Sequence, residues 1–340
     1  MRYLIIDTAN TFFRARHSAF RAADTHEKVG YAMHVTLTSI NRMYQKFGAD
    51  HVVFCLEGKS WRKEVYPRYK KNRSTARAAL TEKEQEEEKV FWETFEELTT
   101  FLKEQTNCSV IRHERAEADD IIARWVDLHP NDNHIIISSD TDFVQLLSDN
   151  VQQYNGVSGH LITTHGILDD KDQPVKDKKT GDFKEIPDPE WLLFEKCVRG
   201  DATDNVFSAY PGVRKKGTKN KTGLIEAFND RLSKGFSWNN LMLQRWTDHE
   251  GVEHRVLDDY ERNRKLIDLR AQPEEIKNAV DTAIAEQVSK KDITQVGVRF
   301  MKFCGKHELI KLSEMATQLS EWLNKTYQGA IDDQSNPSNK

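Results

Sequence analysis

The segment IISSDTDFVQL at residues 136–146 decides the fold class, because an apolar run ends there in two carboxylates separated by one residue. A short apolar run bounded by polar residues is consistent with a buried parallel strand, and open α/β sheets place their ligands at the carboxyl ends of such strands. The pattern occurs again at Asp7, which closes the run YLII, and at Glu57, which follows VVFCL. The sequence therefore predicts a sheet whose strand ends carry acidic groups.

The first half of the chain alternates β-rich runs with helical patterns, which predicts βαβ units and a central, mostly parallel sheet flanked by helices. The connection between the second and third runs is too polar and too long for a simple crossover, so we expect a helical arch that projects from the core. The predicted strands lie near residues 3–6, 51–56, 109–111, 134–138 and 151–154.

The bulk composition indicates a protein with a sizeable core. The chain has 340 residues, of which 38% are hydrophobic and 31% charged, and its length suggests two domains. No apolar run approaches the roughly 20 residues of a membrane span, and Asp7 comes too early for a secretion signal. We therefore expect a cytoplasmic monomer that makes no membrane contact. Four separated cysteines without a CxxC pair argue against a zinc site and a disulfide framework.

A polar stretch at 165–187, rich in lysine and aspartate and containing glycine and proline, marks the expected domain boundary. We predict an α/β core at 1–187 that includes a basic arch region at 59–106. A smaller, helical domain is predicted at 188–327. The remaining residues, 328–340, lack apolar periodicity and are predicted to be a disordered tail.

Acidic residues at the predicted strand ends and helix starts are the candidate metal ligands. Any one of them could be a helix N-cap, but capping explains the whole set poorly. Ligands that offer only oxygen suit hard cations, so Mg²⁺ or Mn²⁺ is expected rather than Zn²⁺. Two such ions about 4 Å apart can bind the attacking and leaving oxygens of a phosphoryl displacement. The candidates are Asp7, Glu57, Glu117, Asp119, Asp120, Asp140, Asp142, Asp201 and Asp204.

Basic residues are concentrated in two stretches, although the formal net charge is −4. A basic run is often only a solvated face. Here each run follows an acidic cluster, which favours a phosphodiester partner. The candidate contacts to nucleic acid are Lys59, Arg62, Lys63, Arg68, Lys71, Arg77, Arg214, Lys215, Lys216 and Lys219.

Five segments together resemble the phage and bacterial 5′-nuclease family of flap endonucleases and 5′ to 3′ exonucleases, and within it the ribonucleases H of T-even phages. Any one of these motifs alone would be weak, whereas their order and spacing over about two thirds of the chain are specific. They are IIDTAN at 5–10, VVFCLEGKSWRKEVYPRYKKNR at 52–73, EADD at 117–120, IISSDTDFVQL at 136–146 and RGDATDNV at 199–206.

The resemblance implies a fold with a PIN-like core and a nuclease that uses two Mg²⁺ ions, with Mn²⁺ as a substitute. It assigns Asp7, Glu57, Glu117, Asp119, Asp120 and Asp140 to the first ion, and Asp142, Asp201 and Asp204 to the second. It also places Lys70 and Arg73 at the scissile phosphate, which makes them catalytic together with Asp7 and Asp140.

The implied substrates are duplex DNA, 5′-flap DNA and RNA annealed to DNA, cleaved from the 5′ end. The implied role is removal of lagging-strand RNA primers during phage replication in the host cytoplasm. The implied partners are a single-strand-binding protein and the sliding clamp of a replisome.

Two departures from the family pattern are visible. Glu57 replaces the usual aspartate, and its extra methylene could shift the coordination of a cation. A helix-hairpin-helix-like segment is expected at 205–228, but its hairpin carries Arg214, Lys215 and Lys216 where the family is glycine-rich. The K⁺ ion that often accompanies this motif is therefore not favoured here.

Three alternative functions fit the sequence less well. An aspartate-dependent phosphatase needs a second aspartate two residues after the first, and Ala9 occupies that position. A binding protein without cleavage would be expected to have lost acids at the strand ends. A small toxin-type ribonuclease would lack the basic crossover and the helical second part.

Overall fold

The computed structural model describes residues 1–18 and 24–331 and confirms the mostly parallel central sheet. Its seven strands follow the order β3-β2-β1-β4-β5-β6-β7, in which β1 to β5 pair in parallel and β6 and β7 are antiparallel. A separate hairpin contains β8 and β9. The strands are β1 (Arg2–Asp7), β2 (His51–Leu56), β3 (Ser109–Arg112), β4 (Asn133–Ile137), β5 (Val151–Asn155), β6 (His160–Ile162), β7 (Ile167–Leu168), β8 (Arg245–Thr247) and β9 (Glu253–Arg255).

Helices occupy most of the remaining described chain, and a 3₁₀ helix at Thr141–Leu146 follows β4. The α-helices are α1 (Thr8–Ser18), α2 (Thr25–Phe47), α3 (Arg62–Val65), α4 (Lys71–Ala78), α5 (Glu82–Gln105), α6 (Ala118–Leu128), α7 (Pro189–Arg199), α8 (Leu224–Asn229), α9 (Phe236–Met242), α10 (Val256–Ile267), α11 (Glu274–Val288), α12 (Val296–Lys306), α13 (Ile310–Glu314) and α14 (Ala316–Leu323).

The chain forms two compact units, which divide it differently from the predicted domains. The first unit contains Met1–Ser60, Leu80–Ile186 and the chain from Glu274 onward. The second contains Trp61–Ala79 and Pro187–Pro273. The polar stretch that ends near residue 187 therefore coincides with one change of unit. The predicted domains differ in two respects, because part of the basic arch region lies in the second unit and the last four helices lie in the first.

The first unit is built around the sheet. Every residue of β2 is buried, as is every residue of β1 except Arg2, so both strands have helices on their two faces. Helix α5 begins with a capping box in which Thr81 and Glu84 satisfy each other's backbone amides. The apolar face of α5 and the last helices share one core, which explains why the end of the chain belongs to this unit. Core residues from these helices include Phe91, Phe95, Phe101, Phe300, Phe303, Leu319 and Trp322.

A cluster of aromatic side chains packs at the amino-terminal end of strand β1. Tyr3 lies with its ring centroid 5.2 Å from Trp125 and 6.2 Å from Tyr327. Gly329 packs against Tyr3 so closely that a Cβ atom there would lie 2.0 Å from the tyrosine hydroxyl. The chain therefore stays packed beyond residue 328, where the tail was predicted to begin, and residues 332–340 of that predicted tail lie outside the described residues.

The second unit has a core made largely of aromatic side chains. Phe194 of α7 packs against Trp238 of α9 and Tyr260 of α10. A neighbouring cluster contains Tyr69, from the basic segment, together with Val206 and other apolar residues. The segment Trp61–Ala79 therefore packs against α7 and α10 through apolar side chains, in addition to its charged contacts within this unit. Across the described parts of both units, no helix combines the length and apolar character needed to cross a membrane.

All four cysteines are buried, and none of them forms a disulfide bond.

Candidate active site

The carboxyl ends of β1 and β4 bring Asp7 and Asp140 into one hydrogen-bonded network. Asp7 is 7% exposed and accepts hydrogen bonds from the Ser138 hydroxyl at 2.7 Å and from the Asn10 backbone at 3.3 Å. Asp140 is the N-cap of the 3₁₀ helix, where its Oδ1 accepts from the backbone of Asp142 at 2.9 Å. These hydroxyl and backbone donors orient both carboxylates.

The start of α6 gathers three further acids of the predicted set. One carboxylate oxygen from each of Glu117, Asp119 and Asp120 can be chosen so that the three lie within 4.8 Å of one another. Glu117 is 4% exposed and Asp120 is fully buried. Three carboxylates this close repel one another unless a cation or proton lies among them. Their all-oxygen donor set and spacing fit a hard divalent ion.

Neutral donors also fix the geometry of this trio. The Ser60 hydroxyl donates to Glu117 Oε2 at 2.8 Å, and the Glu117 backbone N–H donates to Asp120 Oδ2 at 3.0 Å. Asp119 Oδ1 accepts from the Asp120 backbone at 2.8 Å. Negative charge in the first turn of α6 is also favoured by the helix dipole.

Glu57 lies on the loop that follows β2 and reaches the same helix start. Its Oε2 accepts from the Ala118 backbone N–H at 3.3 Å, although the residue as a whole is exposed. The loop is held in place because the Gly58 amide donates to the Ala116 carbonyl at 2.9 Å. A Cβ atom at Gly58 would lie 2.0 Å from the His113 carbonyl oxygen, so only glycine allows this close approach. The structure therefore places Glu57 beside the acids of α6.

Two of the other candidate ligands, Asp201 and Asp204, lie in the second unit and contact cations. Asp201 Oδ2 accepts from the Lys196 ammonium at 3.0 Å, and Asp201 Oδ1 accepts from the Thr203 backbone at 2.8 Å. Burial alone would raise the pKa of Asp201, but Lys196 and the backbone N–H groups of Thr203 and Asp204 hold this pKa below its ordinary value. Asp201 is therefore ionised and paired at neutral pH.

Asp204 is surrounded by the basic segment. Its Oδ1 accepts from Arg73 Nη2 at 2.9 Å, and its Oδ2 accepts from the Tyr69 hydroxyl at 2.8 Å. The Lys70 ammonium lies 3.5 Å from Oδ2. Lys70 has a positive φ of 52°, a strained conformation for a residue with a side chain, and its backbone N–H donates to the Asp204 carbonyl at 2.8 Å. Lys70 and Arg73, the two cationic residues predicted to be catalytic, therefore form one cluster with the predicted metal ligand Asp204.

Most of the residues predicted to contact nucleic acid are exposed, namely Lys59, Lys63, Arg68, Lys71, Arg77, Arg214, Lys215, Lys216 and Lys219. Arg62 differs from them. Its side chain is fully buried, its Nε donates to the Leu266 carbonyl at 2.7 Å, and its guanidinium lies over the Trp61 ring. A buried guanidinium that bonds to a carbonyl has a structural role, so Arg62 is removed from the candidate contacts.

The hairpin between Arg214 and Gly223 is closed by its own hydrogen bonds. Glu226 accepts from the backbone of Gly217 and of Gly223. The first amides of α8, from Leu224 and Ile225, donate to the carbonyls of Arg214 and Lys215. Since these amides are already used, the lysine and arginine side chains are the groups that this hairpin offers to a phosphate.

Several residues that position the acids were not identified from the sequence. Ser60, Ser138 and Gln153 carry no charge, and each contacts an acid-bearing loop from a distant part of the chain. Tyr69 precedes Lys70 in the basic segment, so the sequence indicated that it lies near the predicted site. Its hydrogen bond to Asp204 could not be predicted from the sequence. One local signal could have suggested Ser138: it directly follows the apolar run of β4 and comes two residues before Asp140.

A sequence profile of the family described as "5'-3' exonuclease, N-terminal resolvase-like domain" matches residues 2–178, which is more than half of the chain. The chain belongs to this 5′-3′ exonuclease family. The matched stretch contains β1 to β7 and all of the candidate acids in the first unit.

Three curated relatives of this family member support the assignment. The chain is 28% identical over 209 residues to a DNA polymerase I of Rhizobium leguminosarum, covering 60% of the chain and 16% of the relative. It is 26% identical over 202 residues to a 5′-3′ exonuclease of Buchnera aphidicola, covering 59% of the chain and 60% of the relative. A flap endonuclease Xni of Shewanella loihica is 30% identical over 166 residues, covering 48% of the chain and 58% of the relative. The matched stretch thus spans less than two thirds of each relative.

Solved structures of a phage enzyme share the fold of this family member. A T5 5′-exonuclease with bound zinc has a TM-score of 0.59 at 20% identity, covering 84% of this chain and 99% of that one. A T5 flap endonuclease in a pseudo-enzyme-product complex with DNA and metal ions has a TM-score of 0.56, covering 94% of this chain and 100% of that one.

Proposed function

We propose that this protein is a Mg²⁺-dependent 5′ to 3′ exonuclease and flap endonuclease that hydrolyses phosphodiester bonds at the 5′ ends of DNA and of RNA annealed to DNA. The observation that carries the proposal is the group of Glu117, Asp119 and Asp120, whose oxygens lie within 4.8 Å of one another. Family membership and the names of the relatives support the same activity.

The donor chemistry of the first unit supports Mg²⁺, with Mn²⁺ as a substitute. Asp7, Glu57, Glu117, Asp119, Asp120 and Asp140 supply only carboxylate oxygens, which hard cations prefer over the nitrogen and sulfur donors typical of zinc sites. Divalent ions bound there would lower the pKa of water and stabilise the negative charge on the oxygens of the phosphoryl group. Asp142 of the first unit and the pair Asp201 and Asp204 of the second remain further candidate ligands.

Lys70 and Arg73 are proposed to bind the reacting phosphate. In the structure their cationic groups contact the carboxylate of Asp204 at 3.5 Å and 2.9 Å. Groups that hold a carboxylate in this way also suit a phosphate oxygen, because both acceptors are anionic. A phosphate that took these donors would leave the Asp204 carboxylate available to a cation, which couples substrate binding to the second carboxylate cluster.

The biological role proposed for this chemistry is removal of lagging-strand RNA primers during phage DNA replication. The fold shared with phage 5′-exonuclease structures and the match to a DNA polymerase I support a replication context. Contacts with a single-strand-binding protein and a sliding clamp remain part of the proposal.

The test uses 5′-end-labelled flap, nicked and RNA-primed duplexes with purified protein. We expect labelled products of one or a few nucleotides, or a released flap, with Mg²⁺ or Mn²⁺ and none with EDTA. Cleavage that persists in EDTA would contradict metal dependence. Products released from the 3′ end would contradict the polarity.

A further inference from the structure

Ser138 lies between two candidate metal ligands, Asp7 at the end of β1 and Asp140 in the loop that follows β4. The parallel register of β1 and β4 pairs Ile6 with Ile137, so Asp7 and Ser138 are the next residues along the two strands. Ser138 is 2% exposed, and its hydroxyl donates to Asp7 Oδ2 at 2.7 Å. The same oxygen accepts the backbone N–H of Asp140 at 3.1 Å.

These two contacts fix the direction of the hydroxyl proton. A serine hydroxyl has one proton to donate and two lone pairs that accept. The Asp140 backbone N–H can only donate, so the hydroxyl must accept there and its proton is directed to Asp7. A hydrogen bond to a carboxylate is charge-assisted and about twice as strong as a neutral one. Ser138 therefore sets the position of the Asp7 carboxylate relative to the loop that carries Asp140.

Gln153 on β5 holds that loop from the other side. Its Nε2 donates to the Ser138 carbonyl at 3.0 Å and to the Asp140 carbonyl at 2.6 Å. Gln153 is 1% exposed, and its Oε1 has no hydrogen-bond partner among the described residues. This amide therefore contributes through its two donated bonds. The backbone from Ser138 to Asp140 is thus fixed before any ligand binds.

We propose that Ser138 is a positioning residue that presets Asp7 and Asp140 for a divalent cation, with Gln153 as its support. This inference rests on the metal-dependent function proposed above. Groups that orient metal ligands through hydrogen bonds commonly change metal affinity by 10- to 100-fold when they are removed. The neighbouring Ser139 provides a matched control, because its hydroxyl donates to Asn10 Oδ1 at 3.0 Å rather than to a carboxylate.

The experiment measures Mn²⁺ binding by electron paramagnetic resonance in the full chain without DNA, alongside urea unfolding of each variant. We expect S138A to raise the Kd for Mn²⁺ by about 10- to 100-fold. We expect S138T, which keeps the hydroxyl, and S139A to stay within about threefold of the wild type. Urea unfolding separates loss of metal affinity from loss of folded protein.

A Kd for S138A within about threefold of the wild-type value would overturn the assignment. Equal weakening in all three variants would also overturn it, because packing rather than the hydroxyl would then be responsible. If the wild type bound no Mn²⁺ and cleaved no flap substrate in Mg²⁺, the proposed function itself would fail, which is a distinct result.

Discussion

The two sets of carboxylates in this protein are held in different ways. In the first unit, hydroxyl and backbone N–H donors position Asp7, Glu117 and Asp140. In the second unit, Asp201 contacts Lys196 and Asp204 contacts Lys70 and Arg73. The hydroxyl and backbone donors orient the acids of the first set, and three of these acids place oxygens within 4.8 Å of one another. In the second set, lysine and arginine side chains balance part of the charge of Asp201 and Asp204. Because the first set gathers more carboxylate oxygens, we expect it to bind a divalent ion more tightly in the absence of substrate.

The largest expected effect tests the first set. D140N should lower the rate of flap cleavage by on the order of 10³-fold, because it removes a charge from the group of acids that is proposed to hold the cation. An amide oxygen can still accept from the Asp142 backbone, so fold and DNA binding should be preserved. Single-turnover cleavage and gel-shift binding measure the two properties.

D149N is the matched control for this variant, because Asp149 is an almost fully exposed acid of the same unit. Near-normal Mg²⁺-dependent hydrolysis by D140N would remove Asp140 from the metal-binding set.

The second prediction addresses the cations of the second set. K70A should reduce turnover by roughly 10²-fold while changing duplex affinity far less, because its ammonium is proposed to contact the reacting phosphate. K71A provides the comparison, since Lys71 is exposed at the next position and should mainly affect affinity and its salt dependence. If the two variants behaved alike, Lys70 would be a general backbone contact.

The third prediction concerns the Lys196 and Asp201 pair and the pH dependence of stability. Asp201 has a folded-state pKa below its ordinary value, so its contribution is present above the unfolded pKa of about 3.9 and is lost as pH falls through the folded value. K196M should lower the free energy of unfolding at pH 7 by about 1 kcal/mol. The difference from the wild type should shrink as the pH falls toward the lowered folded-state pKa of Asp201, because protonation of the carboxylate removes its pairing with Lys196.

Urea unfolding at pH 7 and pH 3 measures this difference. A deficit of equal size at both pH values would indicate lost packing of the lysine stem, and the charge pairing would then contribute nothing.

The smallest expected effect concerns the hairpin of the second unit. K215A and K216A should each reduce the salt dependence of duplex binding by about one unit of slope, with little change in turnover. The reason is that the amides of Gly217, Gly223, Leu224 and Ile225 are already bonded within the hairpin, so the exposed lysine side chains are proposed to supply the phosphate contacts. If the double variant K215A/K216A kept the salt slope of the wild type, the duplex would bind to another surface of the protein. Fluorescence anisotropy from 50 to 200 mM salt measures this.

The sheet and the acids at its edge were predictable because three apolar runs of strand length, those of β1, β2 and β4, end at or are soon followed by a carboxylate. The parallel order follows from the helical connections between those runs. Strands β6 and β7 were not predicted, since they contain only His160–Ile162 and Ile167–Leu168 and lie at the antiparallel edge.

The contacts that the sequence could not predict are long-range. Lys70 and Asp204 are distant in the chain, and nothing in the local pattern shows that they meet. Arg62 has the same local signal as the exposed bases around it, yet it is buried because the Leu266 carbonyl offers it a partner. Pairing of this kind depends on the packing of α10 against the basic segment rather than on residue type.

The central claim is that the first set of carboxylates forms the tight divalent-metal site. Mn²⁺ binding to the wild type, E117Q and D204N without DNA tests it most directly. We predict that D204N retains the affinity of the wild type, because its acid is paired with Lys70 and Arg73, whereas E117Q loses at least about tenfold. Loss of binding in D204N with normal binding in E117Q would contradict the account.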